Sequence, residues 1–156
     1  MFEDRATRFA FNRAFDTPEF ETYREDGILH IVTKHLHVRY DEKKFTDFGM
    51  QIYVDGTCDW SYGKKCNTML GTIRTLDGAS GARPLGDGFI TYRDGFYAYD
   101  DSKTIAIGDD GWPVPVTSDR IDLYFFGYNK NYEQCIKDLY KLTNPVPLLP
   151  RFALGN

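Results

Sequence analysis

Phe20-Glu21-Thr22-Tyr23-Arg24 runs into Glu25-Asp26-Gly27, and Ile28-Leu29-His30-Ile31-Val32-Thr33 returns. Asp-Gly between two β-rich runs marks a tight hairpin, because both central positions of the favoured turn can need positive φ. Working outward, residues 35–40 make another strand, 41–46 a charged turn, and 48–54 the returning partner. Gly56 is read as the end of that unit.

Downstream, residues 62–88 hold Gly63, Gly71, Gly78, Gly81, Gly86 and Gly88, and most of the stretch is expected to be loop. It is the longest irregular region and so the best place for function. Residues 89–92 and 96–99 flank Arg93-Asp94-Gly95, the pattern of a further hairpin. Ile105 to Ile107 precedes the turn Gly108-Asp109-Asp110-Gly111, and the nearly continuous apolar run at 121–128 predicts a buried strand.

One helix is legible. Asn131 is its N-cap, with Gln134 at capping-box spacing. Tyr132, Cys135, Ile136, Leu139 and Tyr140 form one apolar stripe, and Glu133 and Lys137 make an i,i+4 pair in the favourable order. Asn144 suits the left-handed position that ends a helix, and Pro145 prevents its continuation. Pro147-Leu148-Leu149-Pro150-Arg151-Phe152-Ala153-Leu154-Gly155-Asn156 then reads as a connector opening a strand of a further domain. The expectation is a mainly β, antiparallel β-sandwich over residues 1–130, a helix at 131–144, and a connector at 145–156.

Composition agrees with that class. The 156 residues include 12 Phe, 11 Tyr, 2 Trp and 14 Gly, a mixture of β-formers and turn residues. The net charge of −4 argues against nucleic acid or an anionic membrane as partner, since both need a basic face. No run reaches the roughly 18 apolar residues of a membrane span. The start, Met1-Phe2-Glu3-Asp4-Arg5, lacks a signal-peptide pattern. With Cys58, Cys66 and Cys135 an odd set, the expectation is a cytoplasmic protein with reduced thiols.

Few residues suggest chemistry. His35 and His37 lie two apart on a strand and with His30 could make a metal site, but no Cys, Asp or Glu stands beside them at ligand spacing. Half-exposed strand histidines are the commoner case, so no metal and no cofactor are expected. Asp100-Asp101-Ser102 and Asp109-Asp110-Gly111 place carboxylates at strand ends. Paired carboxylates can hydrolyse glycosides, yet such residues more often form Asx-turns. No nucleophile elbow, phosphate loop or dinucleotide fingerprint occurs, and no catalytic residue is assigned.

Four stretches, in order, resemble family 31 glycoside hydrolases, the α-glucosidase and α-xylosidase family. They are Phe2-Glu3-Asp4-Arg5-Ala6-Thr7 with Asn12-Arg13; Gly71-Thr72-Ile73-Arg74-Thr75-Leu76-Asp77-Gly78; Asp94-Gly95 with Asp100-Asp101-Ser102 and Asp110-Gly111-Trp112; and Asp122-Leu123-Tyr124-Phe125-Phe126-Gly127-Tyr128, continuing through the helix to Pro147–Asn156. The last is the strongest, because it joins a strand, a helix and a connector. Two departures are local: Thr68-Met69-Leu70 and Asn144 stand where the family tends to have glycine.

The resemblance implies a galactose-mutarotase-like β-sandwich followed by a (β/α)8 catalytic barrel. The family's two catalytic aspartates lie in that barrel, so neither is carried onto this chain. The chain is then expected to be inactive alone, with its own barrel and, through it, a carbohydrate substrate as partners. A sandwich loop in the family closes over the barrel mouth, and by order it corresponds to residues 77–87. Asp77, Arg83 and Asp87 are the candidate substrate-binding residues, since charged groups hydrogen-bond sugar hydroxyls strongly. Equally open is an internal Arg74–Asp77 pair that shapes the loop, with Arg83 and Asp87 solvated. Trp112 is expected in the core or at a domain interface. A self-standing carbohydrate-binding or scaffolding β-module is the alternative from another class.

Overall fold

A computed structural model describes residues 5–66, 68–70, 87–91, 95–115, 119–145 and 148–154, with the backbone alone at 57–59, 68–70, 87–91 and 154. The fold is mainly β, antiparallel, with one α-helix towards the C-terminus. The chain divides into two compact units. One is built from residues 16–99 and 125–132, the other from 1–15, 100–124 and 133–156.

The first of these holds a five-stranded meander: β1 (Phe20–Glu25), β2 (Ile28–Thr33), β3 (Leu36–Tyr40), β4 (Met50–Val54) and β5 (Thr57–Ser61), each paired antiparallel with the next. Asp26 and Gly27 take φ of 50° and 78°, the paired positive values of a tight hairpin turn. Asp55 and Gly56 repeat this with 47° and 88°, so Gly56 turns the chain into β5 instead of ending the unit. The expectation for Gly56 is corrected on that point. A bulge between Ile52 and Tyr53 bends the β4–β5 ladder.

Two short pairs follow, the second with residues 96–99 and 125–127 in this unit. β6 (Thr68–Leu70) pairs with β7 (Asp87–Thr91), and β8 (Phe96–Asp100) pairs with β11 (Leu123–Gly127). β7 and β8 stand where the sequence put strands, but the expected β7–β8 hairpin is not among the pairings of the described residues. One face of the meander supplies the core. Ile52, Val54 and Trp60 are buried, and the Trp60 ring lies 5.9 Å from Phe125, which stacks on buried Phe96 at 5.7 Å. Gly127 is small for a reason: a Cβ there would stand 3.0 Å from Leu36 Cδ2 and 3.1 Å from Val54 Cγ2. β11 is less buried than a continuous apolar run suggests, with Phe126 its one buried side chain.

The second unit carries β9 (Ala106–Ile107), β10 (Pro113–Val114), α1 (Tyr132–Thr143, from Glu133 onward) and a 3-10 turn (Arg151–Leu154). β9 and β10 face each other across the Gly108–Gly111 turn, and Thr7 bridges to Ala106 on the other side. Asn12 N–H donates to the Leu142 carbonyl of α1 at 3.0 Å. Cys135 and Leu142 are the helix's buried residues, whereas Ile136 and Tyr140 from the expected stripe are partly exposed. Glu133 and Lys137 form their ion pair at 2.7 Å, and Asn144 closes the helix with φ of 68°.

Candidate functional site

Asp77 and Arg83 lie outside the described residues. Asp87 opens β7 opposite Leu70, with its backbone alone described. Asp100 and Asp110 act as turn formers: Asp100 Oδ1 accepts from Ser102 N–H at 2.9 Å and Asp110 Oδ1 from Trp112 N–H at 3.0 Å. Asp101 instead turns inward. Its Oδ2 accepts the Thr7 hydroxyl at 2.5 Å, with both residues fully buried. Cys66 and Cys135 are thiols, not disulfide-bonded. The Cys58 side chain lies outside the described residues.

Among the described residues, a polar cluster sits on the meander's other face and follows from its register. The Asp26-Gly27 turn sets Tyr23 opposite His30, and the β2–β3 ladder sets His30 opposite Arg39. The β3–β4 ladder then sets His37 opposite Tyr53 and Arg39 opposite Gln51. Alternation along each strand puts all six side chains on one face. The result is a ladder of rings. Tyr23 stacks on His30 at 4.5 Å and 5°, His30 lies 5.0 Å from His37, and His37 lies 5.6 Å from Tyr53.

His30 is the buried member, 6 % exposed. Its Nδ1 stands 2.8 Å from His37 Nε2, so one ring donates a hydrogen bond and the other accepts. Arg39 reaches over with long contacts from Nη1 to Tyr53 Oη at 3.4 Å and Gln51 Oε1 at 3.5 Å, and its Nε is buried without a hydrogen-bond partner. Burial, and then the positive charges at His30 and Arg39, hold the His37 imidazole below the ordinary histidine range.

His35 does not join this pair. Its Nδ1 is 3.1 Å from Asp55 Oδ1, while Asp55 Oδ2 accepts from Asn129 Nδ2 at 2.6 Å. Among the described residues, no three His, Cys, Asp or Glu side chains are grouped to hold a metal. Two imidazoles beside a guanidinium are poorly suited to a cation, because the fixed positive charge opposes it. The arrangement suits proton exchange better.

Sequence reasoning weighed the three histidines as one set and missed Tyr23, Tyr53, Arg39 and Gln51. The Asp26-Gly27 turn was the available signal, since it alone fixes Tyr23 across from His30. No protein-family model matches the chain, and no curated protein matches it. Among the described residues no helix is long and apolar enough to cross a membrane.

Proposed function

We propose that the chain is the non-catalytic, galactose-mutarotase-like sandwich domain of a cytoplasmic, retaining α-glycosidase of the family 31 type. In this reading the parent hydrolyses terminal α-glucosides. The present chain packs on the catalytic barrel and lends residues 77–87 as one wall of the substrate site, with Asp77, Arg83 and Asp87 turned to sugar hydroxyls.

The carrying observation is a set of exposed large apolar side chains in the unit that contains α1. Leu148 is 97 % exposed, Phe152 89 %, Trp112 72 % and Leu149 63 %. Each belongs to a stretch that carries the resemblance, and in this reading they are the apolar groups that the barrel covers. Trp112 is thus not a core residue, which favours its interface role. A second support is the convergence of the quoted stretches. Thr7 from the first meets Asp101 from the third, and Arg13 from the first pairs with Asp122 from the fourth at 3.3 Å.

The self-standing sugar-binding alternative asks for ring faces open to a sugar. On the meander, the ring faces of Tyr23 and His30 are turned to each other.

The test is direct. The chain alone is expected to show no turnover of an aryl α-glucoside, while the full product of its gene hydrolyses it with retention. Turnover by the chain alone overturns the non-catalytic role. A full product without glycosidase activity overturns the family reading. In that full product, Asp77→Ala is expected to raise KM several-fold with the melting temperature unchanged. A fall in stability with KM unaltered removes the substrate-wall role.

A further inference from the structure

We propose that the His30–His37 pair is a proton switch built into the meander: it accepts one proton as a shared imidazole–imidazolium hydrogen bond, and a second proton breaks it and loosens the β1–β2 hairpin. The geometry demands the one-proton limit. At 2.8 Å the facing nitrogens, Nδ1 of His30 and Nε2 of His37, can hold one hydrogen between them. In the neutral pair that hydrogen belongs to one ring. A first added proton goes to the outer nitrogen of the donor's own ring, so the bond survives and becomes charge-assisted. A second would make both rings donors, hydrogen against hydrogen.

His30 lies flat against Tyr23 at 4.5 Å and 5°. His37 is next to Arg39, which disfavours charge on that side, and its proton affinity is lowered accordingly. The other ionisable groups placed on this face by the register are Glu21 and Glu25 on β1, Tyr23 beside them, and Tyr53 on β4. On β5 the described side chain at this face is Ser61, opposite Gln51. Among the described residues, no carboxylate is hydrogen-bonded to the pair to neutralise a second proton.

Opening has a structural route. All six residues of β1 are exposed, so this strand is held by its ladder to β2, by the Tyr23–His30 stack and by the exposed two-bond pair of Arg24 with Glu42 at 2.8 Å. Losing the His30 position removes the stack and leaves the solvent-screened Arg24–Glu42 pair as the other of these side-chain contacts.

The sign of the pH dependence follows from His37. Its proton affinity is lower folded than unfolded, so the unfolded chain binds the extra proton. The stability it contributes is complete above the unfolded value of about 6.5 and is lost as pH falls through the folded value. Within that window the folding constant falls by up to about tenfold per pH unit for each proton taken up.

The experiment is a side-chain ¹H–¹⁵N titration of the three histidines from pH 8 to 4.5, with hydrogen exchange of the β1 and β2 amides in parallel. The expected result is that His30 and His37 shift together in one step worth one proton while His35 follows its own curve. Protection of β1, corrected for intrinsic exchange, then falls about tenfold or more as the second proton is forced on. Two independent single-proton curves for His30 and His37 overturn the proposal, as does β1 protection unchanged down to pH 4.5. The variant His37→Gln is expected to abolish the coupled step, and His35→Gln to leave it in place. Loss of the step in His35→Gln would also overturn the assignment. The unmodified chain decides the matter by itself, so the outcome does not depend on either variant folding.

Discussion

Phe96→Ala is expected to cost about 3–5 kcal/mol of unfolding free energy. Phe96 is 2 % exposed and among the largest fully buried side chains. One ring contact is with Phe125, nearly parallel at 17°, and the Lys64 ammonium lies 5.4 Å from the ring centroid. Phe125 in turn reaches Trp60 of the meander. Truncation removes the transfer energy of a whole ring and leaves a cavity in this aromatic cluster. The backbone beside it cannot collapse inward freely. Gly95 has φ of 70°, and its carbonyl accepts from both Tyr128 and Asn129 N–H groups at 3.0 and 2.7 Å. Denaturant unfolding followed by tryptophan fluorescence measures the loss. A change under 1 kcal/mol would mean that the aromatic cluster is not a source of stability.

Thr7→Val is expected to cost about 3 kcal/mol while keeping the shape of the side chain. The hydroxyl donates to Asp101 Oδ2 and accepts from Ala10 N–H at 2.8 Å and Phe9 N–H at 3.2 Å. Thr7, Ala10 and Asp101 are all 0 % exposed, so water cannot replace the lost bonds. The larger part of the cost is the carboxylate left buried without its donor. Thr7→Ser retains the hydroxyl and is expected to lose far less. Equal losses in the two variants, read from urea melts, would place the energy in the methyl group instead of the hydrogen bonds.

The sequence made the β1–β2 hairpin legible, because Asp26-Gly27 is a local signal with a local cause, though its register was not drawn from it. The identical signal at Asp55-Gly56 was passed over. The run after it, Thr57-Cys58-Asp59-Trp60-Ser61, carries an aspartate at its centre and lacks the β-rich look of Ile28–Thr33. α1, its Glu133–Lys137 pair and its Asn144 end were legible for the same local reasons. The β8–β11 pairing was not, since it joins strands with β9 and β10 between them and no short-range pattern encodes such a choice. The His30–His37 contact needed the β2–β3 register, and a slip of one residue there would have turned a ring to the opposite face. The candidate site residues of the sequence reading were Asp77, Arg83 and Asp87. They rested on order within a resemblance, and no local physical signal marked them.

The division of the chain into one nearly continuous unit and one assembled from three separated segments bears on its biosynthesis. Meander strands pair with their immediate successors, so residues 20–61 can zip up as they leave the ribosome. The amino-terminal segment has the opposite fate. Thr7 must wait 94 residues for Asp101 to be translated, and Asn12 must wait for Leu142. This early segment is thus among the last parts of the fold to find its place. A nascent chain stalled near residue 99 would carry a formed meander, with the segment ahead of it still waiting for its partners.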